Sequence, residues 1–307
     1  MLTKIISGEA RIETINSCNS HCTICPRENL TRPVVNMPVR HVTKLVAQMA
    51  PMGVIKAGMF GYGEPLMDWR LPSKIKAAFN QGMFTTITTN GSLLDYNRSI
   101  LILKSKVNHV RFSVHGLCRN DYEDTQRGLK WNDVIPKILH FIWMNNNFYA
   151  HKIKTEVSVI PMHNERVEDI VRFWEPFVDG IEVWRPHNWG GARDYRKVVR
   201  KKKTCGRPEV GPLQIQSNGY VIPCCFLTNG EVILGNSHEK KLVDILNDEP
   251  YEKLREAHRT GNLEGYPCEH CDQLNEYSEE DYPLLYSSID TQKRIGVTSI
   301  TKFNLEA

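Results

Sequence analysis

Cys18-Asn19-Ser20-His21-Cys22-Thr23-Ile24-Cys25 follows directly on a strand-like run, residues 10–16, and separates its three cysteines by three and then two residues. Thiolates this close together can share one metal centre, and sulfur is the ligand that iron–sulfur clusters and zinc select. Three is one short of a full set. A cubane cluster has four irons, so three protein ligands leave one iron open to an outside ligand. Structural zinc fills four positions and would need a distant fourth ligand here, with His21 the nearest candidate. The triplet by itself leaves both readings open.

From the triplet onward the chain alternates. Residues 40–49 form a short helix with Val42, Leu45, Val46 and Met49 on one face. Residues 54–60 form a strand that ends in Gly61-Tyr62-Gly63-Glu64-Pro65, a turn that sets Glu64 at the strand's C-terminal end. A helix over 71–80 follows, then a strand over 84–89 closed by Asn90-Gly91, and a helix capped by Ser92 that runs to about Leu103. Next come a strand over 107–114, a polar segment through Arg127, and a helix over 133–144 with Pro136 in its first turn. A strand over 152–160, a helix over 167–177 and a strand over 181–184 complete six strands and five helices. Such alternation predicts a parallel sheet with helical crossovers, in which function gathers at the C-terminal strand ends.

Trp184-Arg185-Pro186-His187-Asn188-Trp189-Gly190-Gly191 closes the sixth strand. Its position makes Arg185, His187, Asn188 and Trp189 candidates for substrate contact, or else a hinge between units. Beyond it the alternation stops. A second unit begins at Cys205, with a hairpin of 213–216 and 220–222 around Ser217-Asn218-Gly219 and a helix over 242–257. The last 30 residues or so are polar and weakly patterned.

At 307 residues the chain is long enough for a barrel and a smaller unit. A net charge of +4 gives no nucleic-acid footprint. The basic run 196–203, holding Arg196, Lys197, Arg200, Lys201, Lys202 and Lys203, is expected as a solvated linker face, the alternative being a grip on an anionic partner. With no apolar window of about 20 residues and no apolar core of a signal peptide, a cytoplasmic protein without a membrane partner is expected. Nine cysteines in a reducing compartment argue for metal binding over disulfides. Eight of them fall in two groups, Cys18, Cys22 and Cys25 early and Cys205, Cys224, Cys225, Cys268 and Cys271 late, leaving Cys118 alone.

The triplet's spacing, with Asn19 after the first cysteine, resembles the cluster signature of the radical S-adenosylmethionine (SAM) enzymes. The turn Gly61-Tyr62-Gly63-Glu64-Pro65 is similar to the GGEP-type turn after the second strand of that family, which holds the cofactor's amino group. The resemblance implies an α/β fold, a partial (β/α)6 TIM-like barrel, with Gly61, Tyr62, Gly63 and Glu64 at the cofactor and Glu64 as acceptor for the amine. Thr89 and Asn90 resemble the family's third-strand end, and Ser113 the polar residue of its fourth strand that reaches the cofactor. Arg127 matches an arginine that pairs with the methionine carboxylate, a task suited to a planar bidentate donor. Ile24 stands where the family usually has an aromatic residue beside the adenine. His115 stands where many relatives have an acid, which makes it a further candidate for substrate contact.

Downstream, Cys205, then Gly219 with Cys224 five residues on, and Cys268-Glu269-His270-Cys271 resemble a shortened SPASM, or twitch, domain. That implies a small C-terminal α+β unit in which Cys205, Cys224, Cys268 and Cys271 ligate a second 4Fe–4S cluster, with Cys225 spare; a four-cysteine zinc site is the alternative. The implied division is a barrel over 1–190, a basic linker over 191–204, a cluster domain over 205–275 and a tail over 276–307. Family resemblance further implies that a 4Fe–4S cluster on Cys18, Cys22 and Cys25 binds SAM. A reductase such as flavodoxin or ferredoxin would deliver the electron. The resulting 5′-deoxyadenosyl radical would take hydrogen from an unactivated carbon of a peptide, a sugar or another small molecule, an oxidoreductase-type activity. The rival is a non-catalytic zinc or iron–sulfur protein with a structural or electron-relay role.

Overall fold

Six short stretches rich in β-branched and apolar residues become six parallel strands in the computed structural model of the chain, which describes residues 4–150, 152–275 and 284–295. These are β1 (Glu9–Ile12), β2 (Lys56–Met59), β3 (Phe84–Thr89), β4 (His109–Ser113), β5 (Lys154–Val159) and β6 (Gly180–Trp184). Each pairs in parallel with the next, with Arg11 beside Gly58, Thr88 beside Arg111, Arg111 beside Glu156 and Ser158 beside Glu182. The crossovers are α1 (Val39–Met49), α2 (Leu71–Phe79), α3 (Tyr96–Lys104), α4 (Arg119–Thr125), α5 (Trp131–Phe148) and α6 (Val167–Trp174). Apolar residues at helical spacing turn inward. In α1, Val42, Leu45, Val46 and Met49 are all fully buried, as their spacing predicts.

Three local expectations need correction. Ser92 does not cap the third helix: its hydroxyl bonds to Asn90, and Asp95 caps the Tyr96–Lys104 helix instead by accepting the Arg98 N–H at 2.7 Å. Pro136 lies in the second turn of α5, because the helix starts at Trp131, before the expected Asp133; the helix therefore runs through a residue that cannot donate a backbone bond. The polar segment after β4 contains α4, whose charged surface hid its two buried anchors, Tyr122 and Thr125.

The sheet does not end with the sixth strand. β7 (Leu213–Ile215) lies parallel to β1, with Ala10 beside Leu213, and β8 (Tyr220–Ile222) folds back on it as the expected hairpin. β9 (Gly235–Asn236) pairs with β8, and β10 (Leu284–Ser287) runs antiparallel along β6. Among the described residues this makes one sheet of ten strands, ordered β9-β8-β7-β1-β2-β3-β4-β5-β6-β10. The small C-terminal unit, with α7 (Arg207–Val210), is thus joined to the barrel through β1, the strand that leads into the cysteine triplet. Its expected single helix is two, α8 (Leu242–Leu246) and α9 (Glu249–Thr260), broken where Asp248 caps and Pro250 starts the second. A last helix, α10, covers Ile289–Ile295.

The basic run lies along the C-terminal unit rather than standing free. Lys201 and Lys202 donate backbone N–H groups to the Leu274 carbonyl at 2.9 Å each, Val199 N–H bonds Asn275 Oδ1 at 2.8 Å, and Arg196 pairs with buried Asp272 at 3.4 Å. Among the described residues no helix is long and apolar enough to cross a membrane.

Inside the barrel the strands meet through charge. Arg111 on β4 is held by Glu156 on β5 and by Glu182 on β6, the latter at 3.0 Å, while Glu9 on β1 takes Arg11 at 3.0 Å and Lys56 at 3.6 Å. Apolar helices outside and paired ions inside leave a polar floor beneath the C-terminal strand ends.

Candidate active site

Those strand ends surround a cavity of about 480 Å³. Cys18, Cys22 and Cys25 line it together. The loop that carries them is pinned on three sides. Cys22 lies in a two-residue strand, His21–Cys22, that pairs antiparallel with Gln126–Arg127. Asn19 donates to Ser92 at 2.8 Å and accepts from Asn90 at 3.1 Å, which ties the first cysteine to the end of β3. Arg193 bonds the Cys25 carbonyl at 2.6 Å and the Thr23 carbonyl at 3.2 Å, a clasp from beyond the sixth strand.

Burial pushes the Cys18 thiol up to about 11 and the Cys25 thiol up to about 12, and raises Cys22 as well. Buried thiols become thiolates when a cation is bound among them. The donor set fits an iron–sulfur cluster: three sulfurs line one cavity and none is in a disulfide. Zinc–sulfur bonds of about 2.3 Å would draw the sulfurs of a zinc site onto one point. Among the described residues no three His, Cys, Asp or Glu groups gather closely enough for such a single ion.

Glu64 sits beside the triplet, buried at the end of β2. One carboxylate oxygen accepts the Leu66 N–H at 2.9 Å and the Thr89 hydroxyl at 2.6 Å, and the other accepts the Asn90 N–H at 2.8 Å. Burial raises its pKa, and the bonds from Asn90, Thr89 and Leu66 oppose the rise. A carboxylate has about four lone-pair sites, so one acceptor site remains for a ligand. The two glycines of the turn are there for close approach. A Cβ on Gly63 would stand 2.1 Å from the Ile15 carbonyl oxygen, and one on Gly61 would stand 2.5 Å from Glu13 Cγ.

Gly61, Tyr62, Gly63, Glu64, Thr89, Asn90, Ser113, Ile24, His115, His187 and Trp189 all line the same cavity. His115 is buried and its pKa falls to about 4 by desolvation; its neutral ring nitrogen Nδ1 accepts the Ile160 N–H at 3.1 Å. His187 also falls to about 4 through burial, between Trp189 and Phe226, with ring centroids 4.3 and 4.2 Å away.

Three expected site residues lie elsewhere. Arg127 is exposed, pairs with Asp124 at 3.5 Å and does not line the cavity; strand pairing turns its neighbour Gln126 inward instead. Asn188 is a buried latch that accepts the Asp272 N–H at 3.1 Å and donates to the His270 carbonyl at 2.8 Å. Arg185 is not among the lining residues. The cavity also takes Arg11, Arg27, Arg111, Gln214 and Cys225, which sequence reasoning passed over. The signal was the period-two run Glu9, Arg11 and Glu13 on the first strand, where charges alternate inward.

A second, smaller cavity of about 30 Å³ is lined by Cys205, Cys224, Cys268 and Cys271 among Pro208, Pro223, Leu227 and Leu274. Four thiols in a mostly apolar wall suit a fully ligated cluster. Burial lifts Cys268 to about 11 and Cys271 to about 12. Arg207 and Phe226 line both cavities, whereas Cys224 faces the smaller and Cys225 the larger. The Tyr62 hydroxyl donates to the Cys225 carbonyl at 2.7 Å, joining the Glu64 turn to the paired cysteines.

The profile of the Radical SAM superfamily matches residues 12–173, and that of the SPASM iron–sulfur cluster-binding domain matches residues 205–272. A GTP 3′,8-cyclase of Chlorobaculum tepidum is 29% identical over 198 residues, 61% of this chain and 59% of that protein. A PqqA peptide cyclase of Granulibacter bethesdensis is 27% identical over 116 residues, 38% of this chain and 30% of that protein. The chain thus spans less than two thirds of the length of these curated relatives. In fold it is similar to BtrN in complex with AdoMet and 2-DOIA, at a TM-score of 0.64 and 18% identity, covering 92% of this chain and 100% of BtrN. It is similar also to Streptococcus suis SuiB bound to the precursor peptide SuiA, at a TM-score of 0.65 and 18% identity, covering 82% of this chain and 67% of SuiB.

Proposed function

The chain belongs to the radical SAM superfamily and carries a SPASM iron–sulfur domain, and from that premise we propose that it cleaves SAM reductively and takes a hydrogen atom from an unactivated carbon of an organic substrate held in the larger cavity. The observation that carries this reading is three half-buried thiols beside a carboxylate with one acceptor site to spare, all in one cavity.

When bound, the 4Fe–4S cluster and SAM supply the 5′-deoxyadenosyl radical; the rest is the work of the protein. Cys18, Cys22 and Cys25 would hold the cluster, and three thiolates are one ligand short of a full set for four irons. Glu64 would accept a hydrogen bond from the cofactor's ammonium group, its carboxylate held in place by the Thr89 hydroxyl and the Asn90 N–H. Gly63 lets the turn approach the Ile15 backbone closely enough to place Glu64 there. Ile24 and Ser113 complete the cofactor's surroundings. His115, neutral and held by Ile160, offers a fixed polar surface rather than a charge. Aromatic walls at Tyr62, Trp189 and Phe226 keep water from a reactive intermediate.

Cys205, Cys224, Cys268 and Cys271 hold the second cluster, and electrons enter from a flavodoxin- or ferredoxin-type reductase. A cluster held there would supply an electron acceptor close to the substrate cavity. The test is anaerobic reconstitution with dithionite and SAM. We expect 5′-deoxyadenosine from the wild type and none from the Cys18, Cys22, Cys25 triple-alanine variant. Full iron incorporation without 5′-deoxyadenosine would instead support a structural or electron-relay protein.

A further inference from the structure

At the wall that the two cavities share, two guanidinium groups converge. Arg11 from β1 and Arg207 from α7 each direct an Nη1 donor at the same atom, Cys225 Sγ, at 3.6 and 3.8 Å. Each cation is braced by an aromatic ring, Arg11 over Phe60 at 5.6 Å and Arg207 over Phe226 at 5.5 Å. Arg11 shares its one carboxylate, Glu9, with Lys56. Arg207 has no carboxylate partner among the described residues, and its Nη1 faces Cys225 Sγ. Gln214, the register neighbour of Arg11 across the β1–β7 pair, is only 4% exposed and its Nε2 has no acceptor among the described residues. The corner therefore holds two guanidinium groups, the unpartnered Nε2 donor of Gln214 and one thiol.

Two guanidinium nitrogens within 4 Å of one point have the spacing at which a pair of arginines clasps a single oxyanion, and their planar forks suit a carboxylate or a phosphate. We propose that this corner anchors an anionic group, a carboxylate or a phosphate ester, of a small-molecule substrate whose reacting carbon is presented to the cofactor. The proposal rests on the radical SAM reading above and names the substrate's chemistry within it. A small molecule is indicated because a cavity of about 480 Å³ has to admit SAM as well. The anchor also explains why Arg11 and Arg207 come from the barrel and the C-terminal unit, respectively: the substrate site is complete only where β7 joins β1.

Isothermal titration of the full chain, reconstituted anaerobically and saturated with SAM, tests the idea. The probes are glycerol 3-phosphate and succinate, with glycerol as the neutral control. We expect at least one charged probe to bind and glycerol not to bind. Arg11→Gln and Arg207→Gln should each weaken that binding by about tenfold or more. Arg172→Gln, an exposed arginine on α6, should leave it unchanged. Binding of glycerol 3-phosphate alone identifies a phosphate ester, and binding of succinate alone a carboxylate. Iron and sulfide counts accompany each variant, and should Arg207→Gln lose iron, Arg11→Gln decides. Wild-type protein that binds neither charged probe, or Arg11→Gln protein that binds as tightly as the wild type, overturns the proposal. Formation of 5′-deoxyadenosine without substrate is followed in parallel. If it persists while anion binding fails, only the anchor is wrong; if it is absent, the SAM-cleavage reading itself fails.

Discussion

Glu13→Gln is the substitution by which this structure is most sharply tested. Glu13 is only 4% exposed. Its two oxygens accept Arg32 Nη1 at 2.6 Å, Arg32 Nη2 at 2.8 Å, the Tyr62 N–H at 2.9 Å and the Ser217 N–H at 3.1 Å. One carboxylate thereby ties the first strand, the loop after the triplet, the Glu64 turn and the hairpin of the C-terminal unit. Glutamine keeps the shape but removes the charge and turns one acceptor into a donor. Removing one partner of a buried ion pair costs about 3–5 kcal/mol, and a buried N–H left facing another donor costs about 1–3 kcal/mol. The two overlap, so the expected loss is about 4 kcal/mol, an apparent melting shift of about 8 °C for a chain of this size. Thermal unfolding of the reduced, cluster-free protein, followed by circular dichroism, measures it. Glu13→Gln with Arg32→Met should be no less stable than Glu13→Gln alone, since the second change removes the stranded charge. A single-mutant loss below about 1 kcal/mol, or a double mutant that falls further, would refute the assignment of Glu13 as a charged hub.

Gly63→Ala should weaken SAM binding by about tenfold or more, measured by equilibrium dialysis, and Gly61→Ala should do less, because the first meets a backbone oxygen and the second a side chain; equal effects would contradict the close-approach reading. His115 has its pKa lowered to about 4 by burial, so its contribution to stability is complete above about pH 6.5 and is lost as pH falls towards 4. Urea midpoints of the cluster-free protein between pH 7.5 and 4.5 should slope downward by up to about 3 kcal/mol from this group, and His115→Gln should flatten the slope; an unchanged slope removes His115 as its source. Asn188→Ala cuts the bonds to Asp272 and His270 that hold the second cysteine pair in place. Its iron content should fall from about eight towards about four per chain while 5′-deoxyadenosine formation survives, and full iron retention would show the latch to be dispensable.

Six strands, most of their helices and the triplet's place at a strand end were legible because period and punctuation are local properties. Val42, Leu45, Val46 and Met49 declare a buried face by spacing alone, and the glycines of the Gly61–Pro65 turn mark a strand end. What was not legible depends on partners distant in sequence. Whether Arg127 or Gln126 enters the cavity is decided by the pairing of Gln126–Arg127 with His21–Cys22, a two-residue register that no periodicity encodes. Asn188 looked like a substrate contact because it follows a strand end, yet its three polar groups are already taken by the second cysteine loop. The basic run looked like a solvated face because charge was its visible property, whereas its backbone is what binds residues 274 and 275.

The pairing of β1 with β7 has a consequence for how the molecule comes into being. β1 is an interior strand of the finished sheet, and one of its two edges waits for Leu213–Ile215, about 200 residues later in synthesis. At ordinary synthesis rates that wait lasts about 10–40 s. Throughout it, an unpaired edge lies next to the nascent triplet, open to mispairing and without the wall that later closes the cavity. Cluster insertion is therefore expected to follow synthesis of β7 rather than precede it. A chain stopped at residue 200 should aggregate and retain little iron after reconstitution; a soluble product with a full first cluster would show that the barrel matures without its late strand.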